Sequence, residues 1–155
     1  MNLTEIPLSN GILRIDRNNS TQAVSMRLGH YALPKLEEEI TTTVDKIKGH
    51  QVTIIDNGKY QLAVIPLLGW SKTEVVVTNG SNPAAMESVV LNVTDNFIPQ
   101  KEKATIYATL MLWKKSGEKW TEQELLPVNK IKYSEKSNEV SITMYNGEKR
   151  IVKYN

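Results

Sequence analysis

The stretch that decides the fold class is Val140-Ser141-Ile142-Thr143-Met144-Tyr145, followed by Asn146-Gly147 and then by Arg150-Ile151-Val152-Lys153-Tyr154. Two alternating apolar and polar runs of this kind are typical of β-strands with one buried face. Asn-Gly between them supplies the two residues with positive φ that a type I′ turn requires. The pattern predicts a β-hairpin closed by such a turn.

The same arrangement recurs upstream, where Asn10-Gly11, Asn57-Gly58 and Asn79-Gly80 each adjoin an apolar or β-branched run. Further strands are predicted at Val89–Val93 and Thr105–Trp113. The second of these runs is apolar on both faces near its end, as expected of a central strand buried between two layers. Turn signals spaced through the chain favour a succession of short strands.

The segment from Leu36 to Ile47 fits a helix by the spacing of its apolar residues. It also contains the run Thr41-Thr42-Thr43-Val44, whose β-branched side chains have low helix propensity. Lys48-Gly49 would then make a tight link into the next strand. We therefore favour a strand over Thr41–Ile47, with a helix as the alternative.

We predict an all-β fold, a two-sheet antiparallel β-sandwich with at most one or two short helical turns. Those turns are expected at Pro83–Glu87 and Thr121–Leu125, where Asn82 and Thr121 can act as capping residues. A chain of 155 residues buries about 70% of the surface that its unfolded form exposes. Residues 1–155 are therefore expected to form a single domain, either complete or excised from a larger protein.

Composition excludes several classes of protein. The chain has no cysteine, so it has no disulfide and no thiol nucleophile. Lysine and arginine total 19 against 17 acidic residues, and this small excess, dispersed along the chain, does not predict nucleic-acid binding. No apolar run approaches the length of about 18 residues that a membrane-spanning helix needs.

No catalytic, metal or cofactor motif is present. The two histidines, His30 and His50, lack the neighbouring groups of a nucleophilic triad, and no Gly-x-Ser-x-Gly sequence occurs. Phosphate-binding glycine loops and His-Glu-x-x-His are absent, and the acidic residues show no ligand spacing. We expect no catalytic residue, no cofactor and no metal ligand set, although a loop calcium site stays open.

Aromatic side chains are the best candidates for a binding site. An exposed tryptophan or tyrosine can stack on the apolar face of a sugar ring while neighbouring polar groups bond its hydroxyls. Trp70 follows a predicted strand, Trp113 ends another, and Trp120 follows a turn. Trp70 and Trp120 are preferred to Trp113 as glycan contacts. Core packing is the alternative for all three, including a cross-strand pair between Trp113 and Trp120.

Three stretches together resemble a known family: Met26–Pro34, Ile55–Ala63 and Leu68-Gly69-Trp70. Their order is similar to the C-terminal β-sandwich region of secreted bacterial polysaccharide-processing enzymes, the heparinase-like lyases, over residues 22–128. The resemblance implies an accessory domain beside a separate catalytic domain, and an extracellular or periplasmic location. Within these stretches it adds Tyr31, Tyr60 and His30 to the glycan-contact candidates.

Three functions follow as hypotheses. The first is a non-catalytic accessory β-sandwich module of a carbohydrate-active protein, which contacts polysaccharide and has the catalytic domain of a larger protein as its partner. The second is a structural or protein-interaction domain without a small-molecule site, which would present an apolar patch or an unpaired strand edge. The third, a small hydrolase or lyase, requires His30 in a cleft beside a carboxylate or a tyrosine.

Overall fold

The computed structural model describes residues 2–19, 24–34, 41–70, 72–78, 88–97 and 104–155, and the side chains of residues 2–19, 41–70 and 104–155. These residues form twelve strands and one short helix. In chain order the elements are β1 (Asn2–Leu8), β2 (Gly11–Asn18), β3 (Val24–Pro34), β4 (Thr41–Ile47), β5 (His50–Asp56), β6 (Tyr60–Leu68), β7 (Lys72–Thr78), β8 (Ser88–Phe97), β9 (Thr105–Lys115), α1 (Glu122–Leu125), β10 (Val128–Ser134), β11 (Glu139–Met144) and β12 (Lys149–Lys153).

The largest sheet has six antiparallel strands in the order β1-β2-β9-β6-β5-β4. β9 lies at its centre and joins two hairpin units that are far apart in the chain, because Leu110 pairs with Leu13 of β2 and with Ile65 of β6. Residues 106–112 of β9 are all buried. The prediction of a central strand buried on both faces is therefore confirmed.

A second sheet, with the order β10-β11-β12, supplies the other half of a common core. We call the side of the large sheet that packs into this core its core face, and the other side its opposite face. The buried core residues come from the large sheet, from α1 and its flank, and from the C-terminal sheet: Ile6, Leu13, Ile15, Val52, Ala63, Ile65, Ile106, Leu110, Leu112, Leu125, Leu126, Val128, Val140, Ile142 and Met144. The two sheets form a sandwich because each buries one apolar face against the other.

A third antiparallel sheet has the order β3-β8-β7. In β3 the register shifts between Leu28 and Tyr31, which pair with Val93 and Leu91. One extra residue therefore lies in β3 at Gly29-His30, the geometry of a β-bulge.

The predicted all-β antiparallel sandwich with at most one or two short helical turns is confirmed, and the described residues contain one such helix. Thr41–Ile47 is a strand, and the helical alternative for this segment was wrong. α1 follows the predicted cap, since the Thr121 hydroxyl accepts from the Glu124 N–H and the Glu124 carboxylate accepts from the Thr121 N–H. The predicted turn at Asn79-Gly80 and the helical turn at Pro83–Glu87 lie outside the described residues. None of the helices described is long and apolar enough to cross a membrane.

The turn chemistry differs from the prediction. Gly147 has a φ of 87°, but Asn146 does not have a positive φ. Met144 pairs with Glu148, and the Gly147 N–H donates to the Met144 carbonyl, so the loop is a three-residue turn with glycine in the left-handed position. The type I′ pattern instead occurs at Lys48-Gly49, where φ is 48° and 83°.

Lys48 connects the two sheets at one end by surface contacts. Its ammonium group lies 4.3 Å from the centre of the Tyr145 ring and bonds to the Tyr145 hydroxyl. It also lies 3.7 Å from a carboxylate oxygen of Glu122, the first residue of α1. A residue in the turn between β4 and β5 therefore contacts both the β11–β12 turn and the helix.

Gly11 is required by the close approach of β2 and β9. A Cβ atom at this position would lie 2.1 Å from the Met111 carbonyl oxygen and 2.8 Å from a Leu112 methyl group. The backbone of a central strand cannot yield without breaking its hydrogen bonds on both sides. Gly117 offers a contrast, because a Cβ there would meet nothing within 4 Å and only its φ of 84° disfavours a side chain.

We predict that Gly11→Ala lowers the free energy of unfolding by about 3 kcal/mol, because the added methyl group overpacks the β2–β9 junction. Gly117→Ala should cost only about 1 kcal/mol, the penalty of a left-handed conformation. Urea unfolding followed by circular dichroism measures both. Equal losses for the two variants would contradict the close approach at Gly11.

Tyr154 closes the C-terminal sheet against β2. Its backbone N–H donates to the Asn138 carbonyl, and its own carbonyl accepts from the Asn138 amide. Its ring packs on the core, and the Arg17 guanidinium lies 5.4 Å from the ring centre. Burial raises the pKa of the Tyr154 phenol above its usual value, while the charge of Arg17 opposes that rise.

Because the raised pKa belongs to the folded state, stability is complete below the unfolded phenol pKa of about 10. The free energy of unfolding should decrease as the pH rises from the unfolded pKa through the folded pKa of Tyr154. In this range the phenol ionises in the unfolded chain before it ionises in the folded protein. We predict that Tyr154→Phe reduces this alkaline loss relative to wild type, measured as the urea midpoint across the range. A parallel decline in both proteins would show that Tyr154 does not cause it.

Candidate functional site

Trp70 lies after β6 and packs on the opposite face of the large sheet. Its indole ring is 4.5 Å from the ring of Tyr107, centre to centre, at an interplanar angle of 43°. Its indole N–H donates to the Thr109 hydroxyl at 2.8 Å. Tyr107 and Thr109 are themselves buried. Trp70 is thus only partly exposed, and its one polar group is used inside the protein.

Trp120 lies between β9 and α1 and packs on the core face. Its indole N–H donates to the Gln61 side-chain oxygen at 2.8 Å, and the Gln61 amide donates to the carbonyls of Lys115 and Glu118. The Lys114 ammonium lies 4.9 Å from the Trp120 ring centre and also bonds to Glu124. This ion pair is the main reason that the pKa of Glu124 is lowered.

Trp70 and Trp120 do not form a joint site. Side chains along a strand alternate between the two faces of a sheet, so Gln61 and Thr109 project to different sides. The contacts of Trp120 lie on the core face and those of Trp70 on the opposite face. Each tryptophan is a partly buried packing residue in its own half of the molecule.

The predicted cross-strand pair between Trp113 and Trp120 was wrong. Trp113 stands opposite Leu62 of β6, not opposite another tryptophan. Trp120 belongs to no strand, because the chain after β9 enters α1 and does not return as a hairpin.

Trp113 instead joins Tyr60, and sequence reasoning had ranked Trp113 last. β6 and β9 pair in a register that places Leu62 opposite Trp113 and Tyr60 opposite Lys115. The three side chains Tyr60, Leu62 and Trp113 therefore share the opposite face at one end of the sheet, and we call them the aromatic platform. Diagonal neighbours of this kind lie about 7–8 Å apart.

The aromatic platform is open to solvent. The exposed fraction is 50% for Trp113 and 47% for Tyr60. On the same face, Val64 two residues further along β6 and Ile55 beside Leu62 on β5 are fully buried. The sheet thus changes from a packed surface to an accessible one within a single strand length. Two half-exposed aromatic side chains on one rigid sheet face can stack against the apolar face of a ligand ring.

Positive charge borders the aromatic platform. The Lys59 ammonium lies 5.5 Å from the Tyr60 ring centre, and Lys115 is exposed directly opposite Tyr60. The β5–β6 turn that carries Lys59 is held by side chains, since Asn57 accepts from the N–H groups of Lys59 and Tyr60. The platform and its two lysines are therefore positioned by regular structure and by an ordered turn.

The remaining predicted residues lie outside the described side chains. Only the backbone of His30 and Tyr31 is described, and it places them in or beside the β-bulge of β3. Their roles as glycan contacts, and that of His30 in catalysis, stay predictions. Among the residues whose side chains are described, no group of three or more histidine and acidic residues could hold a metal ion.

A second cationic surface covers the outside of the C-terminal sheet. The lysines are dispersed along the sequence, but the strand register brings four exposed ones together on this surface, on either side of Ser141 and Thr143. These four are Lys130, Lys132, Lys149 and Lys153. The pKa of Lys130 is lowered by the neighbouring Lys132. This surface lies on the other side of the sandwich from the aromatic platform, and no aromatic side chain accompanies its lysines.

Comparison with known proteins returns no match, whether to a family model, to a curated protein or to a solved structure. The resemblance to the C-terminal region of heparinase-like lyases therefore stays a prediction. The geometry of the chain itself carries the functional argument.

We predict that Trp113 accounts for most of the tryptophan fluorescence that acrylamide can quench, because Trp70 and Trp120 are partly buried. Trp113→Phe should leave an emission at shorter wavelength that is harder to quench. Trp70→Phe is the matched control and should have the reverse effect. Equal quenching of the two variants would contradict the exposure of the aromatic platform.

Proposed function

We propose that this protein is a non-catalytic module that binds an acidic polysaccharide on the aromatic platform. The observation that carries the proposal is the presence of two half-exposed rings, Tyr60 and Trp113, on one sheet face with lysines at their border. Sugar rings have apolar faces that stack on such side chains. Sugar carboxylates or sulfates would pair with Lys59 and Lys115.

Rigidity supports this proposal. The platform residues stand on the central strand and its neighbour, whose backbones are fixed on both sides by hydrogen bonds. A binding surface on such elements loses little conformational freedom when ligand arrives. The resemblance of residues 22–128 to accessory regions of secreted bacterial enzymes points in the same direction, and implies a catalytic domain as partner.

The alternative, a structural or protein-interaction domain, is favoured by a different observation. β4 is an edge strand of the described part of the large sheet, and its side chains are exposed. This function does not require the aromatic platform, so the two functions can be tested separately.

We predict saturable binding of heparin or polygalacturonate and none of dextran, measured by isothermal titration calorimetry. Loss of about 60 Å² of apolar contact costs about 1.5 kcal/mol, which is about tenfold in affinity. Trp113→Ala and Tyr60→Ala should each show at least this loss. Trp70→Phe should bind as wild type does.

A matched pair of charge variants locates the site. Lys59→Ser/Lys115→Ser and Lys132→Ser/Lys149→Ser remove the same charge, one at the aromatic platform and one on the outside of the C-terminal sheet. Only the first should weaken binding strongly and reduce its salt dependence. If the second has the larger effect, or if Trp113→Ala binds normally, the platform is not the site.

A further inference from the structure

β4 forms an edge of the large sheet and is the most exposed strand whose side chains are described. It pairs with β5 along its whole length without a bulge. Residues 41–46 are all exposed, and the exposed fraction of Val44 is 57%. Three threonines and a valine make this strand favourable for β-pairing.

The hairpin geometry fixes which backbone groups of β4 are free. The two-residue turn closes on the pair Ile47 and His50, so Ile47, Asp45 and Thr43 direct their N–H and C=O groups to β5. The N–H and C=O groups of Thr42, Val44 and Lys46 point away from the sheet. The Lys46 N–H donates at 2.7 Å to the neighbouring Asp45 carboxylate, a local bond that pairing with another strand would replace.

Other edges with described side chains carry features that oppose pairing. β1 contains Pro7, which lacks an N–H group. β10 has an irregular register between Val128 and Lys130. β12 is five residues long and carries Lys149, Arg150 and Lys153. Charged, irregular or proline-containing edges resist the addition of a strand, whereas β4 has one acid and one base and is otherwise uncharged.

We propose that β4 pairs with β4 of a second copy of this chain, antiparallel and centred on Val44. Two β4 strands can pair only where their outward-pointing backbone groups face each other. Val44 must therefore face Val44 of the second copy, or the residue two positions away on either side. In the centred register Thr42 faces Lys46, and Thr43 faces Asp45. No like charges oppose each other, and the exposed valines pack together across the axis.

The neighbouring registers are worse. A displacement by two residues in one direction places Asp45 opposite Asp45 of the second copy, and like charges directly opposite each other are unfavourable. A displacement by two residues in the opposite direction places Lys46 opposite a residue that precedes β4 of the second copy. Fewer residues of the two strands then pair. The sequence of β4 is thus self-complementary in one register only.

This dimer would have a consequence for binding, which rests on the proposed function. The two-fold axis of an antiparallel pair within one sheet is perpendicular to the sheet. The two aromatic platforms would then lie on the same side of one continuous sheet. A polysaccharide that reaches both would bind by a second, intramolecular contact.

Sedimentation equilibrium of the full chain without polysaccharide tests the pairing. We expect a monomer–dimer equilibrium that shifts to dimer with concentration. Thr42→Glu should lower the dissociation constant about fivefold, because it adds two symmetric pairs with Lys46. Thr42→Lys should raise it by a similar factor, and since Thr42 is exposed, both variants should fold.

Val44→Pro removes an outward N–H that β5 does not use, so it should yield a folded monomer at all concentrations. A wild-type chain that stays monomeric up to a concentration of about 1 mM, where even a weak pairing would be populated, would overturn the proposal. So would a dimer whose stability is the same in both Thr42 variants. Isothermal titration calorimetry of the monomeric Val44→Pro variant with heparin separates the failure of this proposal from the failure of the proposed function. If only the β4 pairing is wrong, binding to the single aromatic platform persists.

Discussion

The pairing of β9 with β2 on one side and β6 on the other holds the molecule together. β1 and β2 form one hairpin, and β4, β5 and β6 form another unit. In the described part of the large sheet, β9 is the strand that pairs with both units. The C-terminal sheet then packs on a surface that exists only when β9 is in place, because Leu110 and Leu112 lie at its centre. This explains why a side chain is not tolerated at Gly11, where a Cβ atom would lie 2.1 Å from the Met111 carbonyl oxygen of β9.

Local sequence predicted the hairpins because their signals are local. The β5–β6 and β11–β12 hairpins, the buried β9 and the capped turn at Thr121 all follow from alternation, apolar runs and capping chemistry. The turn type predicted at Asn146-Gly147 was wrong. The loop has three residues, and its first residue, Tyr145, donates its N–H to the Pro127 carbonyl, a contact that local sequence does not reveal. β1 and β10 give weak patterns, since Pro7 interrupts the first and the apolar residues of the second, Val128, Ile131 and Tyr133, are unevenly spaced.

The candidate site shows where local reasoning ends. Sequence gives the position of an aromatic residue along a strand but not the register between strands. The indole groups of Trp70 and Trp120 are satisfied by Thr109 and Gln61, residues distant in the chain. Trp113 and Tyr60 come together only because β6 and β9 pair in one particular register. Tyr60 could be singled out in advance, but its partner could not.

The position of β9 in the chain has a consequence for biosynthesis. β2 ends at Asn18 and β6 at Leu68, but β9 begins only at Thr105. A ribosome therefore releases two hairpin units whose inner edges, β2 and β6, remain unpaired until β9 emerges between them. Closing such long loops is slow because their entropy must be lost before the contacts form. During that interval the nascent chain exposes open apolar strand edges, which are surfaces that chaperones recognise and that neighbouring nascent chains can join.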